Sequence, residues 1–93
     1  MKTNFQMIRE LNKEYDSMPH IRGIVSMKEI YLINEKLCLD EMDILGLRNL
    51  RDFIVLFFDR EKRDGESDFD RMDKVSAFVS VIDNKIFNIG GEV

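Results

Sequence analysis

A chain of 93 residues that is 44% hydrophobic and 34% charged has enough apolar matter to fold, and enough length for one domain (1–93) with one core. No apolar run approaches the length of a membrane span, about eighteen residues; the longest, Phe53 to Phe58, is bounded by Asp52 and Asp59. The net charge of −4 sits almost wholly in residues 64–73, where Asp64, Glu66, Asp68, Asp70 and Asp73 face only Arg71, a balance that disfavours nucleic acid as a partner.

The N-terminal residues lack the apolar segment of a secretory signal. The single Cys38 has no partner for an internal disulfide and suits a reducing compartment, so a cytoplasmic protein is expected. Four positions pair a capping residue with an acid or amide three residues on: Thr3 with Gln6, Ser26 with Glu29, Asp40 with Asp43 and Ser67 with Asp70. Each predicts a helix start, because the first side chain can satisfy free N–H groups of the opening turn.

The first helix is predicted over about 4–16, with Phe5, Ile8, Leu11 and Tyr15 as one apolar stripe and Pro19 beyond its end. The second covers about 27–37, with Met27, Ile30, Tyr31 and Leu37 on one face. The third, about 41–61, carries Leu47, Leu50, Ile54 and Phe57, and is apolar all round in its second half. Its end is marked by Arg60, Lys62, Arg63 and then Gly65. The fourth, about 68–88, shows a seam of Met72, Val75, Val79, Ile82, Ile86 and Ile89, with Gly90-Gly91 as its stop. The third and fourth helices should form an antiparallel hairpin, so the expected fold is an all-α bundle.

A rival α+β reading rests on two look-alike segments, Ile33-Asn-Glu-Lys-Leu37 and Ile82-Asp-Asn-Lys-Ile86. Each places a polar pair between apolar flanks, as the turn of a β-hairpin would. Neither has the Asn-Gly or Asp-Gly that such turns favour, and Phe78 and Ile82 fall on one face with Ser76 and Ser80.

Tests for chemistry find no signature. An EF-hand register starting at Asp59 puts Arg63 and Asp64 at the fifth and sixth positions, and one starting at Arg60 makes Arg60 and Lys62 ligands. His20 and Cys38 are single, too few for a zinc site, and nothing brings them together as a dyad; Cys38 is expected to pack as a small apolar residue. No glycine-rich phosphate loop is present. No cofactor and no enzymatic activity are expected. A helix-turn-helix use of the second and third helices would rely on Arg48 and Arg51, beside Asp52; a small DNA-binding regulator is the alternative function.

Two features point to a protein partner. Ala77, Phe78, Val81 and Phe87 lie off the seam of the fourth helix, and the third is apolar on several faces. Phe58, Phe78, Val81 and Phe87 are therefore the candidate self-association contacts of a homodimer, and Phe78→Asp is expected to break such a dimer without unfolding the chain. The acidic stretch, with Asp64, Glu66, Asp68 and Asp70, is the candidate contact for a basic partner and can imitate a DNA backbone.

The segment from Asp70-Arg-Met-Asp-Lys-Val-Ser-Ala-Phe-Val-Ser-Val-Ile-Asp83 to Gly90-Gly-Glu-Val93 resembles small proteins of phages and mobile elements in Gram-positive bacteria. This resemblance covers the last quarter of the chain and transfers no active site. It implies a protein, phage-encoded and working in the host cytoplasm, that binds and redirects a host protein such as a defence nuclease. The expected function is thus a non-enzymatic, protein-binding regulator or inhibitor.

Overall fold

Local signals decide most of the helix boundaries in the computed structural model, which describes residues 2–19, 24–61 and 68–90, with the side chains of the last span from residue 71. Helix α1 (Asn4–Asp16) and helix α2 (Met27–Lys36) each open on a full capping box: Thr3 with Gln6, and Ser26 with Glu29. A short 3₁₀ turn (Leu39–Glu41) precedes α3 (Ile44–Arg60), and α4 (Asp68–Asn88) follows. The fold is all-α. Both look-alike segments are helical, so the α+β alternative fails. Asn34 shows why: its Nδ2 donates to the Ile30 carbonyl one turn back, a contact that follows the helix instead of a turn.

The third helix starts later than expected. Asp40 does not cap it. Asp43 does, its Oδ1 accepting from the Gly46 N–H at 2.7 Å. Fully buried Leu39 pulls the chain into the core just after α2, and the 3₁₀ turn absorbs the change of direction. Cys38 makes the link in the left-handed region (φ 53, ψ 45), with its thiol exposed and 3.8 Å from the Glu35 carbonyl, so it is not an apolar packing residue. A side chain with a Cβ is disfavoured at such a position, where glycine is common. Cys38→Gly is therefore expected to stabilise the fold by about 0.5 kcal/mol, the gain in backbone geometry being partly offset by the looser unfolded chain; a higher urea midpoint would register it.

The four helices form a ring: α3 packs most extensively on α4, α4 also meets α2, α2 meets α1, and α1 returns to α3. Pairing of Phe58 with Phe78 and of Arg51 with Asp83 makes α3 and α4 antiparallel, as the sequence predicts. One core fills the ring. Edge-to-face rings connect it from Phe5 through Phe57, Phe58 and Phe78 to Tyr15, a geometry that adds to simple area burial.

The buried face of α4 keeps Ile82 and Ile86 of the expected seam but is otherwise rotated from it. Phe78, Ile82 and Ile86 are fully buried, with Ala77 and Val81 nearly so, while Met72 and Ile89 are exposed. At 100° per residue this face is turned from the seam by roughly 80°. The cause is the ring: α4 has neighbours on two sides and buries a broad stripe between them.

Candidate functional site

Of the four proposed self-association contacts, the fold consumes three. Phe58, Phe78 and Val81 are buried within the chain, and only Phe87 faces solvent, 70% exposed. The correction follows from the rotation of α4, which turns Phe78 and Val81 inward. Of the acidic contacts, Asp64 and Glu66 lie outside the described residues. Asp68 and Asp70 stand in the first turn of α4, with side chains outside the description. His20 and Gly65 also lie outside it. Arg51 of the DNA-binding alternative is tied to Asp83 at 2.7 Å, both side chains three-quarters buried. Helix α3 turns Leu47, Leu50, Ile54, Phe57 and Phe58 into the core.

Among the described residues a concavity of about 470 Å³ runs between α2 and α4. Its walls carry Tyr31 and Asn34 from α2, and Asn84 and Asn88 from α4. Buried Val81 and half-buried Ile30 give it an apolar base. Lys85 of α4 and Asp40 of the 3₁₀ turn also line it and form an ion pair with each other. The groove thus shows amides and apolar surface but no unbalanced charge.

Both helices that wall it also carry exposed apolar side chains. Tyr31 is 68% exposed, with Met27 one turn before it on α2. Phe87, three residues from Asn84 on α4, is exposed outside the groove lining, roughly 60° round the helix from Asn84. A second, smaller notch of about 70 Å³ lies between α1 and α3, among Phe5, Phe53, Leu56, Phe57 and Arg60. Arg9 stacks over the Phe5 ring at 5.5 Å, leaving that ring half covered.

A titratable pair sits inside the bundle. Glu29 is fully buried; one oxygen accepts from the Ser26 N–H at 3.2 Å, while Oε1 has no partner. Next to it, burial and then the negative charges of Glu29 and Asp73 push the Tyr15 phenol up to about 12. Among the described residues no three carboxylate, imidazole or thiol side chains gather as a metal site. No helix there is long and apolar enough to cross a membrane.

Sequence reading missed the groove because it weighed apolar residues. The available signal was the look-alike pair of segments: they place Asn34 and Asn84 on opposite walls. Comparison with protein families, with curated proteins and with solved structures finds no match to the chain.

Proposed function

We propose that this all-α domain is a non-enzymatic regulator or inhibitor that works by binding another protein, with the α2–α4 groove and its flanks as the contact surface. One observation carries the reading: Tyr31 and Phe87, the two most exposed large apolar residues among those described, stand on the two helices that wall the groove. Exposed aromatic side chains beside a concave surface are the usual anchors of protein interfaces. The balanced charge of the groove favours a protein over a polyanion. The resemblance of the C-terminal quarter suggests the class of target, a host protein such as a defence nuclease.

Affinity capture with the full chain tests this, run with and without nuclease and repeated with Tyr31→Ala plus Phe87→Ala. A protein should be retained after nuclease and lost from the double variant. Both residues are exposed, so the thermal midpoint should hardly move, the change in stability staying within about 0.5 kcal/mol. Recovery of partners only through nucleic acid would overturn the reading and favour the DNA-binding alternative. A second copy of this chain as the bound protein would appear as a dimer in light scattering that Phe87→Ala dissociates.

A further inference from the structure

We propose that the α2–α4 groove takes an extended peptide segment of the partner and holds it by its backbone, through Asn84 and Asn88 on one wall and Asn34 on the other. The proposal rests on the protein-binding reading and names its chemistry.

A carboxamide carries both N–H donors and a carbonyl acceptor, the same complement as a peptide group. One asparagine can therefore answer both halves of a backbone amide. Asn84 and Asn88 are four residues apart on α4, about 6 Å along the helix axis. Alternate residues of an extended chain are about 6.6–6.8 Å apart. The two side chains thus match peptide groups that point the same way along such a segment. Asn34 is held in place by its Nδ2 bond to the Ile30 carbonyl at 2.9 Å, which leaves Oδ1 to accept from the segment.

The surroundings select the same occupant. Alternate side chains of an extended segment point down, onto Val81 and Ile30, or out to solvent. A helical ligand has its backbone groups paired internally and would leave the asparagines unanswered. An anionic ligand would need free cations, but Lys85 is neutralised by Asp40. The volume of about 470 Å³ falls within the range of sites that hold small ligands and short segments. Backbone pairing then supplies affinity, and Tyr31 with the apolar base supplies selectivity.

The test selects displayed random-sequence peptides on the full chain and measures affinity for the enriched clones. Asn84→Ala with Asn88→Ala should weaken binding about tenfold or more, with the circular dichroism melt retained because both residues are exposed. N-methylation along a selected peptide should abolish binding at alternate positions and leave the intervening ones unaffected. Failure to enrich any peptide, enrichment that ignores the two asparagines, or equal tolerance of methylation at every position would overturn the proposal. If the double asparagine variant still captures the same whole protein that Tyr31→Ala plus Phe87→Ala loses, the protein-binding reading stands and the extended-peptide assignment falls.

Discussion

Phe78→Ala is expected to lower the free energy of unfolding by about 3–5 kcal/mol, the cost of emptying a fully buried aromatic site. A small domain has only about 5–15 kcal/mol in total, so the variant should be partly unfolded or close to it. The ring is fully buried at the centre of the aromatic chain, 5.3 Å from Tyr15 of α1 and 5.7 Å from Phe58 of α3. Its loss leaves a void bounded by three helices. Phe78→Asp should be worse, because a carboxylate must also leave water; it cannot serve as a dimer-breaking variant that spares the fold. Phe87→Ala, nine residues on in the same helix, removes an equal ring from the surface and should change stability by no more than about 0.5 kcal/mol. Urea unfolding followed by circular dichroism separates the two, and equal midpoints would show that Phe78 is not a core residue.

That contrast also shows where sequence reading succeeds and where it stops. Helices α1 and α2 are legible because their starts are decided locally: Thr3 and Gln6, or Ser26 and Glu29, satisfy each other within four residues. The start of α3 is not legible in this way. Asp40 and Asp43 both meet the local criterion, and the choice falls to Asp43 because Leu39 is buried against the rest of the bundle. The face of α4 fails for a related reason. A heptad seam presumes one neighbouring helix, whereas α4 packs on both α3 and α2. That error passed directly into the candidate site, since Phe78 and Val81 were chosen for lying off the seam. The groove stayed hidden because its amides, Asn34 against Asn84 and Asn88, lie fifty or more residues apart in sequence, and hydrophobic periodicity gives no weight to asparagine.

Alkaline pH should expose the buried pair of Tyr15 and Glu29. In the fold the phenol is pushed up from 10.0 to about 12, first by burial and then by the negative charges of Glu29 and Asp73. The folded protein therefore holds the phenolic proton more tightly than the unfolded chain. Below pH 10 both states keep it, and this contribution to stability is fully present. As pH rises from 10 toward 12 the unfolded chain releases the proton and the fold does not, so stability falls across that window. One pKa unit corresponds to about 1.4 kcal/mol, so a rise of this size is worth at most about 2–3 kcal/mol. Tyr15→Phe keeps the ring against Phe78 but has no proton to lose. At neutral pH it should be up to about 1 kcal/mol less stable, because the buried Glu29 carboxylate loses the polar hydroxyl beside it. Urea midpoints measured from pH 8 upward should then bring the two proteins together at the alkaline end, with lysine titration common to both. Parallel curves would mean that the Tyr15 phenol ionises in the fold as it does in the unfolded chain, and that Glu29 does not act on it.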